Sequence, residues 1–426
     1  MSIGFGAMTP TPTSGGRLGA PLTLPSGLTL PNRLMKSALS EGLAEPDGSP
    51  GARLETLYRR WSTGGYGLLV TGNVAVDPRH LNEPGNVVIE DDRHLAALAK
   101  WAGSYRAHGG PVFAQLNHPG RQANRRAGRT RPVAPSAVAA RVPGAPRPRA
   151  LTDEEIRGIV GRFGTAASVA EAAGFDGVQI HAAHGYLVTQ FLSPASNRRD
   201  DAWGGDPERR RAFVLAVLRA VRAAVRPGFT VAIKLNSADF QRGGFTEEES
   251  REAVRALVAE GIDLIEISGG SYEAPAMMGV LAESTRAREA YFLDYARSVR
   301  EAAGRTPLAV TGGFRTRAAM ERALADGDCD IVGIGRPTCL TPDAPKALLE
   351  RGEERLEVPP IAVGARAVLG RLTDLRPLDS ALDVQWHADQ LHRMAAGRDP
   401  DPAVPWYRTL GSMVRHGPAA LRPKRG

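Results

Sequence analysis

Residues 181–205 read "HAAHGYLVTQFLSPASNRRDDAWGG", which places His181, His184 and Tyr186 within six residues of one another, directly after the apolar run Phe175–Ile180. Imidazoles and a phenol so close together suit metal ligation, anion binding, a proton relay or a structural polar cluster. A metalloprotease zinc pair would read His-Glu-x-x-His on a helix, and no acid separates these histidines. Lys234 in "VAIKLN" is a second reactive candidate, either a Schiff-base amine or a fixed cation. A third group lies late in the chain, in "VTGGFRT" and "VGIGRP". Gly312, Gly313 and Gly335 let backbone N–H groups approach an oxyanion closely, the helix after Thr316 offers its positive end, and Arg336 adds a bidentate cation.

These groups need a scaffold, and the apolar patterning supplies one. Eight short, β-branched runs occur at 34–40, 68–74, 112–117, 177–181, 230–236, 264–268, 308–312 and 331–335. Their lengths and bounding glycines suit buried parallel strands. Helical patterns lie between them. Thr152-x-x-Glu155 and Thr246-x-x-Glu249 are capping boxes, and Gly109, Gly174, Gly261, Gly304 and Gly327 each close a helix before the next strand. This alternation predicts a (β/α)8 TIM barrel. A doubly wound sheet would usually carry Gly-x-Gly-x-x-Gly after its first strand, and no such motif is present.

Strand parity places the candidates. In "VAIKLN", Val231, Ile233 and Leu235 share one face while Ala232, Lys234 and Asn236 share the other. By the same count Phe113, Gln115 and Asn117 oppose Val112, Ala114 and Leu116; Gln179 and His181 oppose Val178 and Ile180; Glu266 and Ser268 oppose Ile265 and Ile267. Polar groups thus gather near the C-terminal ends of four strands, where barrel active sites lie. The glycine loops follow the seventh and eighth strands, the usual phosphate site of a barrel. Upstream, "LTLPSGLTLPNRL" reads as a β-hairpin able to plug the N-terminal mouth.

Composition narrows the class. The chain has 426 residues, 42% hydrophobic and 23% charged, as in a globular protein. No run of about 18 apolar residues occurs, so a membrane span is not expected, and the N-terminus lacks the form of a signal peptide. Two cysteines are too few for a disulfide framework or an iron–sulfur cluster, and a cytoplasmic location is the expectation. The net charge of +8 is concentrated in the acid-free, Arg-rich stretch 118–150 and in the tail, with no zinc-finger or RNA-binding signature beside it. No nucleic-acid partner is expected; the stretch reads as a solvated loop or as a loop that attracts an anionic cofactor or substrate.

Taken in order, "NRLMKSALSE", "QLNHPGRQ", "APSAV", "HAAHGYLVTQFLSPASNRRDDAWGG", "VAIKLNSADFQRGGFT", "ISGGSYEAPAM", "VTGGFRT" and "VGIGRP" resemble the old yellow enzyme family of FMN-dependent ene reductases, in its NADH:flavin oxidoreductase branch. The resemblance covers about residues 20–350. It implies bound FMN across the barrel mouth, with NADH or NADPH as reductant. It assigns cofactor contacts to Ala38, Leu39, Ser40, Asn73, Gln115 and Lys234 around the ring, and to Gly270, Gly312, Gly313, Gly335 and Arg336 around the phosphate. His181 and His184 match the pair that binds the substrate carbonyl, and Tyr186 matches the proton donor. The implied substrate is an activated alkene, reduced in a ping-pong cycle. An oxidative or isomerising reaction on a related enone, or a non-catalytic flavin-binding barrel, are the competing outcomes.

Two features depart from the family pattern. Strand 1 reads "KSALSE", which brings Lys36, Ser40 and Glu41 where a Pro-containing version is commoner, and Trp203 stands where Tyr is usual. The expected organisation is a flexible segment at 1–20, an FMN-binding barrel at 21–352 and a C-terminal helical extension at 353–426, which permits a homo-oligomer.

Overall fold

The computed structural model describes residues 16–128, 130–141, 145–239, 242–268, 292–359, 361 and 376–415. Eight parallel strands form the barrel: β1 Leu34–Lys36, β2 Leu68–Ala75, β3 Val112–Asn117, β4 Gly177–Ala182, β5 Thr230–Asn236, β6 Leu264–Ser268, β7 Leu308–Thr311 and β8 Ile331–Ile334. Each pairs with its sequence neighbour, and β8 pairs with β1 through Val332 and Leu34, which closes the cylinder. The chain is therefore the (β/α)8 TIM barrel that the alternation predicts. A two-residue strand, Val87–Val88, adds to the end of β2.

The surrounding helices are α1 Ala52–Ser62, α2 Leu95–Arg106, α3 Asp153–Ala172, α4 Pro207–Ala224, α5 Glu247–Ala259, α6 Leu293–Ala303, α7 Arg317–Ala325 and α8 Ala344–Leu349. Both predicted capping boxes form, at the starts of α3 and α5. Each satisfies two of the N–H groups a helix start leaves unpaired. Outward strand residues such as Val112, Leu116, Val178, Ile233 and Ile265 pack with the helices in one large core. Burying one such aliphatic side chain is worth ~1.5–3 kcal/mol.

A second, smaller core fills the barrel floor. Met35, Leu68, Val70, Phe113, Ala232, Leu264, Ala309 and Ile331 point inward and meet Leu24 and Leu30 from the predicted hairpin. The hairpin pairs Leu22 with Leu30 and Thr23 with Thr29. Its turn needs Gly27, which sits at φ 90°. Ser26 Oγ lies 2.8 Å from Thr230 Oγ1 and fastens the plug to β5. The floor is thus sealed by apolar side chains, so chemistry is confined to the other end.

Strand 1 is shorter than its apolar pattern predicts. Pairing ends at Lys36, and Ser37 N–H makes a last bond to Ile334 O at 3.0 Å before the chain turns away across the mouth. β8 itself stops at Ile334, so no partner remains for residues 38–40. In β2 the register to β3 shifts between Val70 and Asn73. That irregularity re-aims the Asn73 side chain.

Beyond residue 353 two further helices are described, α9 Arg376–Ala395 and α10 Trp406–Arg415. α9 packs against α1 and against the 3-10 turn Arg336–Cys339 that follows β8. Trp386 Nε1 bonds Val404 O at 2.8 Å, and His392 Nε2 donates to Glu41 O at 2.8 Å. Among the described residues, no helix is long and apolar enough to cross a membrane.

Candidate active site

Above the apolar floor the inward side chains become polar and form one connected layer. Gln115 Nε2 donates to Gln179 Oε1 at 2.7 Å, and Gln179 Nε2 donates to Glu266 Oε2 at 2.8 Å. Glu266 Oε1 accepts from Thr311 Oγ1 at 2.6 Å and pairs with Lys234 Nζ at 3.0 Å. Thr311 Oγ1 and Ser37 Oγ are 2.7 Å apart. Every member of this network except Thr311 is buried, and Glu266 is its hub. The contact with Glu266 holds Lys234 Nζ in place at the edge of the cavity, as suits a fixed cation. Glu266 was visible only as an inward carboxylate in the parity pattern; its hub role depends on three neighbouring strands meeting in register.

One layer higher, the chain after β4 bends sharply. His184 holds φ 62°, a left-handed conformation that costs a non-glycine residue ~1–3 kcal/mol. Its backbone is clamped on both sides: its N–H donates to Asn236 Oδ1 at 3.1 Å, and its carbonyl accepts from Gln122 Nε2 at 2.9 Å. Gln190 joins the same bend to the loop after β3, through Pro119 O at 3.1 Å and Gly185 O at 2.7 Å. The result brings three rings together. His181 lies 5.1 Å from His184 and 4.8 Å from Tyr186, edge-on in both cases.

Both imidazoles are held neutral. Burial pushes their pKa well below the usual histidine value, helped for His181 by His184 and Lys234 and for His184 by Lys234. The Nδ1 of His181 accepts Ala183 N–H at 3.3 Å, so its own proton sits on Nε2, where it can be donated. His184 Nε2 meets Ser268 Oγ at 2.9 Å. Where Nε2 of His184 accepts from the Ser268 hydroxyl, its Nδ1 carries the proton, so each ring is positioned by a neighbouring group and keeps one N–H. Asp77, His80 and His118 form a separate buried cluster with ligand-type atoms within 4.8 Å of one another. There Arg79 already holds Asp77 through paired bonds of 2.9 and 2.7 Å, and His118 Nδ1 is occupied by Gly120 N–H.

A cavity of about 330 Å³ runs from the His181–His184–Tyr186 group to the glycine loops. Its wall includes Ala38, Leu39, Ser40, Asn73, Gln115, His181, His184, Tyr186, Lys234, Gly312, Gly313, Gly335 and Arg336, so thirteen of the fourteen sequence-proposed residues share one space. Gly270 lies outside the described residues. Ser40 reaches the wall from the extended segment after β1, where it accepts from Asn73 Nδ2 at 3.0 Å. Lys36 and Glu41, the two charged departures in strand 1, are absent from the wall. Lys36 is buried over the Trp61 ring, 4.2 Å from its centroid, and burial brings its pKa down to about 8. Glu41 accepts from Tyr58 and Gly72 behind the strand.

Several wall residues escaped sequence reasoning, Glu83 and His387 among them. Glu83 faces Ser40, and burial raises its carboxyl pKa. His387 arrives from α9. Neither lies near a recognisable motif; both reach the cavity through long-range packing. In the turn at 197–205, Asn197 donates to Phe191 O and Trp203 O, and Arg199 ties the turn to Asp201, Pro135 O and Leu151 O. The Arg-rich loop contributes no described residue to the cavity wall. Arg131 and Arg147 bond carbonyls within the loop, and Arg149 pairs with Glu155.

The donor set suits a flavin mononucleotide. Asn73 Oδ1 is a buried acceptor without a partner, as a ring N–H would need. Gln115 and Lys234 offer an amide and a cation beside it, and the glycine loops with Arg336 end the same cavity. Gly312 and Gly313 hold φ 141° and 87°, backbone conformations that allow successive N–H groups to face an anion.

Comparison with known proteins agrees with this geometry. Residues 17–354 match the family model described as "NADH:flavin oxidoreductase / NADH oxidase family". The NADH-dependent flavin oxidoreductase iliE of Hypocrea jecorina is 40% identical over 353 residues, 77% of this chain and 88% of that protein. Among solved structures, the old yellow enzyme homologue from Zymomonas mobilis superposes with TM-score 0.67 at 26% identity, covering 80% of this chain and 94% of the other. Morphinone reductase in complex with tetrahydroNAD gives TM-score 0.66 at 28% identity, covering 80% and 93%. The chain belongs to the NADH:flavin oxidoreductase / NADH oxidase family, the family of the old yellow enzymes.

Proposed function

We propose that this oxidoreductase binds FMN and reduces the C=C bond of an α,β-unsaturated carbonyl compound at the expense of NADH or NADPH. One observation carries the reading: the carbonyl donors, the phenol, the ring-facing amide and cation, and the anion-binding loops all line a single cavity. Bound FMN supplies hydride chemistry, taken from the nicotinamide and delivered to the alkene β-carbon. The protein's own groups do the rest. Gln115, Asn73 and Ser40 orient the ring by hydrogen bonds, and Lys234 favours negative charge beside it.

His181 and His184 receive the substrate carbonyl. As neutral donors they strengthen their bonds when charge develops on that oxygen, without introducing a cation that would bind the ground state equally well. Tyr186 places its hydroxyl to protonate the α-carbon, completing addition of hydride and proton across the double bond. The donors and the ring-facing groups share one cavity, which supports alternating use by nicotinamide and alkene. The tetrahydroNAD complex of morphinone reductase supports the nicotinamide half.

The test is spectroscopic. Purified protein given FMN should show a visible flavin band that NADH or NADPH bleaches without oxygen, and 2-cyclohexenone should restore it. A protein that stays colourless with added FMN, or whose bleached flavin is not reoxidised by any enone, overturns the proposal.

A further inference from the structure

The C-terminal helix reaches the glycine-lined end of the cavity. Asp383, His387, Ala388 and Leu391 of α9 stand in its wall beside Gly335 and Arg336. Arg336 Nη1 donates to Asp383 Oδ2 at 2.7 Å. The Nδ1 of His387 lies 2.7 Å from the backbone carbonyl of Asp383. A carbonyl oxygen only accepts, so Nδ1 carries a proton and Nε2 presents its lone pair. That Nε2 is buried and has no hydrogen-bond partner, while His387 as a whole is 4% exposed. A buried, unpaired ring nitrogen beside an arginine and a glycine loop is a binding group without its ligand.

We propose that His387 is a phosphate ligand supplied by the C-terminal helix, its imidazolium donating Nε2–H to the FMN phosphate alongside the glycine loops and Arg336. The inference rests on the FMN reading given above. The charged groups facing His387 are Asp383 on its own helix, Arg336 on the turn after β8 and Arg315 on the turn after β7. Before the phosphate arrives, burial and the two arginines favour the neutral ring over the opposing pull of Asp383. A phosphate dianion reverses that balance. One proton is then taken from solvent onto Nε2, and the Asp383 carboxylate, whose Oδ1 lies 3.7 Å from Nδ1, stabilises the cation from behind. The cofactor site is accordingly completed by a segment outside the matched family region, which ends at residue 354.

The experiment compares FMN with riboflavin, which lacks the phosphate. Dissociation constants come from flavin fluorescence at pH 7, and proton uptake from calorimetry in two buffers of different ionisation enthalpy. His387→Leu should weaken FMN binding by roughly 10- to 100-fold, the range for a lost hydrogen bond to a charged group. Riboflavin affinity should change less than about twofold, since it makes no bond of this kind. Proton uptake on FMN binding should fall by close to one per site. His387→Gln, whose amide can donate but not ionise, should recover part of the FMN affinity without the proton uptake; it also serves if the Leu variant does not fold. Equal weakening of both flavins, or unchanged FMN affinity and proton uptake, overturns the inference and leaves the flavin reading intact. So does wild-type protein that binds FMN no better than riboflavin. Wild-type protein that binds neither flavin overturns both.

Discussion

Glu266→Gln tests the polar layer at its hub. The carboxylate and Lys234 Nζ are 3.0 Å apart, with side-chain exposures of 0% and 4%. At an effective dielectric of about 20, a unit charge pair at that separation is worth about 5–6 kcal/mol. Removing one partner of a buried pair typically costs ~3–5 kcal/mol, because the other charge remains without compensation. A glutamine can still accept from Thr311 but turns a donor toward Gln179, whose amide also donates in the present arrangement. The expected loss is therefore ~3–5 kcal/mol for Glu266→Gln in the FMN-free protein. Lys234→Met combined with Glu266→Gln should cost less than the sum of the single changes by ~2–3 kcal/mol. Urea unfolding followed by tryptophan fluorescence measures both. In the FMN-loaded protein, Glu266→Gln should also raise the flavin midpoint potential, because the Lys234 charge is no longer balanced. A single variant within about 1 kcal/mol of wild type, or strictly additive costs, would refute the account of the pair. An unchanged potential would refute the placement of Lys234 beside the ring.

Acid should destabilise the fold through its buried histidines. Burial brings the His118 pKa down to about 3 and holds His181 and His184 well below the usual value, so between pH 6.5 and 5 the unfolded chain binds protons that the folded chain does not. The stability they contribute is complete above pH 6.5 and declines at up to ~1.4 kcal/mol per pH unit for each histidine as pH falls. Melting temperatures from pH 7.5 to 5 should show this, with a shallower slope in His181→Asn/His184→Asn; a flat wild-type profile counts against it. Leu30→Ala, in the fully buried floor, should cost ~2–5 kcal/mol in unfolding experiments. FMN affinity should hold, because the floor lies beneath the polar layer; a parallel loss of flavin binding would show that floor and mouth are not independent.

What could be read from the residues follows from which interactions are local. Period-two alternation decides the face of a strand, so Gln115, His181, Lys234 and Glu266 could be placed on one wall before any contact was known. Helix ends are also local: Gly174, Gly261, Gly304 and Gly327 hold φ of 85°, 77°, 54° and 75°, as closing glycines should. The end of strand 1 was not legible, because residues 38–40 continue the strand-like pattern but have no remaining neighbour to pair with once β8 stops. Nor was the anchoring role of Arg199, which depends on carbonyls 48 and 64 positions away. Glu83 and His387 enter the cavity from a loop and a distant helix, and no periodicity encodes such an approach. Lys36 and Glu41 looked like departures at the flavin, but the turn after β1 puts residues 37–40 in the cavity wall and leaves both charges behind it.

The central claim is that hydride delivery and protonation are separate tasks, with Tyr186 responsible for the second. Stopped-flow absorbance of the FMN-loaded protein follows the two half-reactions independently. In Tyr186→Phe, flavin bleaching by NADH or NADPH should stay within about threefold of wild type, while enone-dependent reoxidation should slow by ~10²–10⁴-fold, the contribution of a positioned general acid. Equal slowing of both half-reactions, or undiminished reoxidation, would contradict the account.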